Sequence, residues 1–214
     1  MSNPNLTLIA FLLDRSGSMQ SIKSDVVGGF DAFLGEQRAG DGECLVTLAQ
    51  FDNEYEIVYR SKPLSDVPPL ELNPRNSTAL LDSMGKLITD TAAEIAALTE
   101  ENKPGTVVVA IMTDGLENSS REWSRPAIKS LVEQQTNEFG WEFLYMGADQ
   151  DAVEVGKGLG VREEQAITYG RGKSREAMSA ASSNVRSYRT AKLGNATAAM
   201  PAFSDAQRSE SSDD

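Results

Sequence analysis

The sequence predicts an α/β protein: an open, mostly parallel sheet of Rossmann type, with one antiparallel edge strand and helices on both faces. Three observations carry that expectation. Leu6 to Leu13, Cys44 to Phe51, Val107 to Met112 and Trp141 to Met146 are nearly continuous apolar runs, as parallel strands covered on both sides require. Segments of helical period separate most of these runs. One run, Glu54 to Tyr59, follows its predecessor after only Asp52 and Asn53, too short a link for a crossover, and so folds back as an antiparallel edge.

In chain order, Met19, Ile22, Val26, Phe30, Phe33 and Leu34 recur at helical spacing after the first strand, and Gly40, Asp41 and Gly42 form the turn into the second. Glu54 to Tyr59 alternates polar and apolar residues, as a strand with one wet face does. Pro63, Pro68, Pro69 and Pro74 mark a surface loop. Leu80, Met84, Leu87, Ile88, Thr91, Ile95 and Leu98 form one face of the next helix, with Ser77 or Thr78 as its cap. Lys103, Pro104 and Gly105 end that segment. Ser124 caps a helix with Pro126 in its first turn and Ile128, Leu131, Val132 and Gln135 on its face, and Gly140 closes it. A short helix around Ala152, Val153 and Val155 precedes a weak strand, Ala166 to Tyr169. Ser174 is placed to cap a last helix carrying Met178, Ala181, Val185 and Tyr188.

The 214 residues suffice for one domain, read here as 1–192. Residues 193–214 are small, polar and finally acidic, so the tail is expected to hold little order. A net charge of −12 disfavours nucleic-acid binding, which depends on Lys and Arg neutralising phosphates. Cys44 is alone, cannot form an internal disulfide, and reads as a small core residue. No basic segment precedes Leu6 to Leu13, which is also too short to span a bilayer. The expectation is a cytoplasmic protein with no membrane partner. Gly156, Gly158 and Gly160 do not lead from a strand into a helix as a dinucleotide fingerprint requires.

Ligands in open α/β sheets sit beyond the carboxyl ends of the strands, where strand order reverses. Asp14, Ser16 and Ser18 occupy alternate positions just after the first strand, with Gly17 allowing a tight bend. Asp114 follows the Val107 strand, and Thr78 stands at the start of a helix. In the expected topology these five residues converge. Two carboxylates and three hydroxyls are hard donors suited to Mg²⁺ or Mn²⁺. Taken singly, Asp14 reads as a ligand ahead of a helix cap and Thr78 as a cap ahead of a ligand; Asp52 reads as a hairpin-turn residue ahead of a support behind the ligands, and Asp82, Glu117 and Asn118 as solvated residues ahead of a lining for the rim.

Asp14-Arg15-Ser16-Gly17-Ser18, then Ser77-Thr78-Ala79-Leu80-Leu81-Asp82, then Thr113-Asp114-Gly115 resemble, in that order, the three parts of the metal-ion-dependent adhesion site of von Willebrand factor A domains. The resemblance in element order extends from Leu6 to Tyr188, and is closer to small stand-alone intracellular bacterial and phage proteins than to matrix A domains. Arg15 departs from it, standing where the family often has Thr. The likeness implies Ser16, Ser18 and Thr78 as hydroxyl ligands, Asp14 and Asp114 as direct or water-mediated ligands, and an open position filled by a Glu or Asp of a partner protein. The function expected is a metal-dependent protein-binding module, not an enzyme. The alternatives are a metal-assisted phosphoesterase, disfavoured because the chain has no histidine and no evident second metal site, and an assembly component working with an AAA-type ATPase.

Overall fold

The computed structural model describes residues 2–148 and 151–212. Six strands form one sheet: β1 (Asn3–Asp14), β2 (Glu43–Phe51), β3 (Tyr55–Pro63), β4 (Pro104–Thr113), β5 (Glu142–Ala148) and β6 (Ala166–Tyr169). Their order is β3-β2-β1-β4-β5-β6. All neighbours pair in parallel except β2 and β3, which form the expected antiparallel hairpin with β3 at the edge. The chain moves outward from β1 to β2 in one direction and from β4 to β6 in the other. Strand order therefore reverses between β1 and β4.

The helices are α1 (Lys23–Arg38), α2 (Leu80–Ala97), α3 (Arg125–Phe139), α4 (Ala152–Gly158), α5 (Ser174–Gly194) and α6 (Asp205–Ser211). Alternate residues of β1 supply two separate cores, because successive side chains of a strand point to opposite faces. Ile9, Phe11 and Leu13 pack with Val26, Phe30 and Phe33 of α1 and Met178, Ala181 and Val185 of α5. Ala10 and Leu12 pack with Met84, Leu87 and Ile88 of α2 and Ile128 and Val132 of α3. Burial on both faces is why β1 reads as an unbroken apolar run. Among the described residues, no helix is long and apolar enough to cross a membrane.

Several local expectations hold. Ser124 accepts a hydrogen bond from the Ala127 N–H at the start of α3, and Gly140 closes the helix at φ 67° in the left-handed region. Others are corrected. Neither Ser77 nor Thr78 caps α2; Ala79 occupies that position, and the N–H groups of Leu81 and Asp82 donate instead to Glu117 Oε2 (3.0 Å) and Ser120 Oγ (3.1 Å) of the loop after β4. Ser174 is the first residue of α5, with Lys173 before it at the cap. A single 3₁₀ turn, Gly17–Ser21, intervenes before α1 begins.

The expectation of little order beyond residue 192 does not hold for the described part of the tail. Met200 and Phe203 are buried against the α1–α5 core, and Ser204 and Gln207 form a reciprocal capping box that starts α6. The Phe203 N–H donates to Glu164 O, and the Gly170 N–H to Ser211 O, both at 2.9 Å. Two apolar side chains and a handful of backbone hydrogen bonds dock a segment whose average composition is polar. Asp213 and Asp214 lie outside the described residues.

Candidate metal centre

Three loops meet at the carboxyl ends of β1 and β4. The first leaves β1 at Asp14, the last residue of the strand, and is pinned by the Arg15 N–H donating to Phe51 O at 2.7 Å. The second, ahead of α2, lies across it: the Arg75 N–H donates to Arg15 O (2.8 Å) and the Gly17 N–H to Asn76 O (3.1 Å). Asn76 adopts φ 60°, a left-handed conformation that asparagine tolerates better than most residues. The third leaves β4 at Thr113 and carries Asp114 and Gly115.

All five expected residues are brought together. The Ser16 N–H donates to Asp14 Oδ1 (2.6 Å), Ser16 Oγ lies 3.1 Å from Ser18 Oγ, and Ser18 Oγ donates to Asp114 Oδ1 (2.6 Å). A methyl group built on Gly115 would lie 2.9 Å from Thr78 Oγ1 and 3.7 Å from both Asp14 Oδ2 and Ser16 Oγ. Three oxygens from three positions of the chain thus face one small cradle, kept open because residue 115 has no side chain. Asp14, Ser16 and Thr78 are buried, so the cradle is part of the protein interior at its base.

The electrostatics favour a cation there. Burial pushes the Asp14 carboxyl up to about 6 and the charge of Asp114 adds to the rise, while hydrogen bonds from Thr113 and Ser16 oppose it. Its donors are a backbone amide and the Thr113 hydroxyl at 2.5 Å; no basic side chain compensates its charge. Arg15, the one cation within the motif, turns away: it is buried and engages Asp52 and Glu56 on the β2–β3 side. The donor set of two carboxylates and three hydroxyls therefore fits a hard divalent ion such as Mg²⁺ or Mn²⁺. Among the described residues there is no group of three or more His, Cys, Asp or Glu side chains placed to hold a metal ion, so the candidate set rests on two carboxylates and three hydroxyls.

Thr113 was not singled out in the sequence, and the contacts made by Asp52, Asp82 and Asn118 differ from the bland roles expected of them. Thr113 orients Asp14. Asn118 Oδ1 accepts from the Thr78 N–H at 3.0 Å, and the N–H groups of Asn118 and Ser119 both donate to Thr78 O, so Thr78 is clamped from the β4 loop. Asp52, buried, does more than turn the hairpin. Its Oδ1 accepts from the Glu54 N–H, its Oδ2 from Arg75 Nε (2.6 Å), and its carbonyl from the Ala79 N–H (2.8 Å), tying the α2 loop to β2. Asp82 is no solvated rim residue: its carboxylate accepts the N–H groups of Arg121, Glu122 and Trp123. The only signals for these contacts in the chain are polar residues close to Thr78 and Asp114, a common pattern in any loop.

The molecule is an open α/β sheet whose strand order reverses beside a cluster of oxygen-bearing side chains at its carboxyl edge. No family model matches the sequence, and no curated protein matches it. Among solved structures, the von Willebrand factor domain of the type V pili tip protein Mfa5 from Porphyromonas gingivalis is 10% identical, with 84% of this chain and 94% of that one covered and a TM-score of 0.58. The proximal thread matrix protein 1 of the mussel byssus is 16% identical over 85% of this chain and 47% of that one, with a TM-score of 0.56. The ArnB paralog VWA2 from Sulfolobus acidocaldarius is 13% identical over 86% and 46%, with a TM-score of 0.53. This chain spans about half the length of the latter two, as their coverage of 47% and 46% records. The chain has the von Willebrand factor A fold.

Proposed function

We propose that the protein is a divalent-metal-dependent protein-binding module. Asp14, Ser16, Ser18, Thr78 and Asp114 would hold Mg²⁺ or Mn²⁺, and the ion would lend one coordination position to a Glu or Asp of a partner protein. The observation that carries this reading is the cradle at Gly115, where Thr78 Oγ1, Asp14 Oδ2 and Ser16 Oγ face a common point and Ser18 links to Asp114. The protein's own contribution is to hold these oxygens apart from competing cations and to keep Asp14 shielded from water, which strengthens its attraction for an ion.

The test is calorimetric titration of the protein with Mg²⁺ and Mn²⁺. Wild type is expected to bind one ion per chain, and Asp14→Ala and Asp114→Ala to lose that binding while keeping wild-type circular dichroism. Equal heats from wild type and both variants would overturn the proposal. Turnover of a panel of phosphoesters that disappears in Asp14→Ala would replace it with the hydrolase reading.

A further inference from the structure

A cleft of about 480 Å³ opens beside the cradle, between the β2–β3 turn, the first turns of α2 and the loop after β4. Ser77 and Ala79 line it, while Thr78 between them presents its hydroxyl to the Gly115 point. Cleft and cradle thus share a wall three residues long.

Most charges lining the cleft are already engaged. Asp82 is consumed by three backbone N–H groups. Glu54 pairs with Arg75 at 3.2 Å, and Lys86 with Glu122 at 3.5 Å. The guanidinium of Arg121 is different: it is exposed and makes no ion pair or hydrogen bond among the described residues. The hydroxyls of Tyr55 and Ser119, both shielded from solvent, also have no hydrogen-bond partner. Among the described residues Arg121 is thus the one cation lining the cleft without a partner, and the hydroxyls of Tyr55 and Ser119 remain able to donate a hydrogen bond. They line the same cleft as the first turns of α2, where Glu117 already accepts the Leu81 N–H.

We infer that this cleft takes a second carboxylate of the same acidic segment whose first carboxylate the metal would hold, so that the recognised motif is a pair of acidic residues a few positions apart. The inference rests on the metal-dependent reading above. A chain of net charge −12 repels an acidic segment at long range, so each carboxylate needs a local positive group: the ion for the first and Arg121 for the second. An extended chain advances about 3.3–3.6 Å per residue, so neighbouring acids can straddle a wall of three residues.

The experiment pans a random-peptide display library over the full chain in saturating Mn²⁺, using wild type, Asp14→Ala and Arg121→Glu in parallel. An enriched acidic-pair peptide is then compared by fluorescence polarisation with its version carrying Ala at the second acid. The pair is expected to bind wild type about ten-fold more tightly than the single acid, the size of one charge-assisted hydrogen bond. That advantage should vanish in Arg121→Glu while its Mn²⁺ affinity stays at the wild-type value. An advantage that survives Arg121→Glu, or enrichment of singly acidic peptides alike by wild type and Arg121→Glu, overturns the cleft inference alone. Enrichment that ignores Mn²⁺ or survives Asp14→Ala overturns the metal reading and this inference with it.

Discussion

Asp14 concentrates the energetic conflict of the centre in one side chain. It is fully buried, its carboxyl is pushed up to about 6, and only neutral groups donate to it. Replacing it by Asn should leave metal-free stability unchanged or raised, since a desolvated charge is removed. Wild type at an ion concentration of about 100 times the dissociation constant should gain about 2.7 kcal/mol, and Asp14→Asn none. Thermal unfolding with and without Mg²⁺ distinguishes the two. Gly115 is the second revealing residue. A methyl group there would sit 2.9 Å from Thr78 Oγ1, so Gly115→Ala should keep the fold but weaken Mn²⁺ binding by about ten-fold or more, about 1.4 kcal/mol; Mn²⁺ titration followed by electron paramagnetic resonance reads the change. The Asp-x-Ser-x-Ser spacing and the Thr113-Asp114-Gly115 triplet were readable because their donors are close in sequence and follow recognisable strands. The role of Asp52 was not, since an Asp in a hairpin turn looks the same whether or not its second oxygen holds an arginine 23 positions away.

At the level of elements, the loop after β4 and the start of α2 brace each other. Glu117 and Ser120 occupy the N–H groups of Leu81 and Asp82, and the Asp82 carboxylate returns three acceptances to residues 121–123. Trp123 completes the brace by lying against Gly85, where an added methyl would overlap its ring. Ala is favoured over Gly by about 1 kcal/mol in a helix interior, but overpacking costs about 1–3 kcal/mol. Gly85→Ala should therefore destabilise, and the loss should shrink in the Gly85→Ala/Trp123→Ala double variant, as a urea-denaturation cycle would reveal. The pH response of the brace follows from Asp82. Burial works against its charge, yet the N–H groups of Arg121, Trp123 and Glu122 and the nearby Lys86 hold its carboxyl below the usual range. A carboxyl depressed on folding stabilises fully above its unfolded value of about 3.9 and loses that contribution as pH falls through the lower folded value. Acid unfolding below about pH 4 should accordingly be shallower in Asp82→Asn, which at pH 7 should be about 1–2 kcal/mol less stable than wild type through lost hydrogen bonds. The period of α2 was legible along its whole length, but its cap was not, because the capping side chains come from a loop more than 30 positions downstream.

On the scale of the molecule, two cores share one sheet, and the loops that carry the oxygen cluster hang from the strands between them. The segment after α5 belongs to this whole. Phe203 is 4% exposed and joins the α1–α5 core, so Phe203→Ala should cost about 3–5 kcal/mol in urea unfolding, against almost nothing for a free tail. Fold class, strand sequence, the antiparallel edge and the five residues that converge at the cradle could all be read along the chain. Each rests on local period or on a short motif whose members are neighbours. The tertiary structure alone decided which way Arg15 turns, that the β4 loop caps α2 and clamps Thr78, that a polar tail docks through two apolar side chains, and that a cleft adjoins the cradle in which Arg121 has no partner among the described residues. Those outcomes depend on groups far apart in sequence and on which polar partners are already taken. Such competition is settled only when every group has its place.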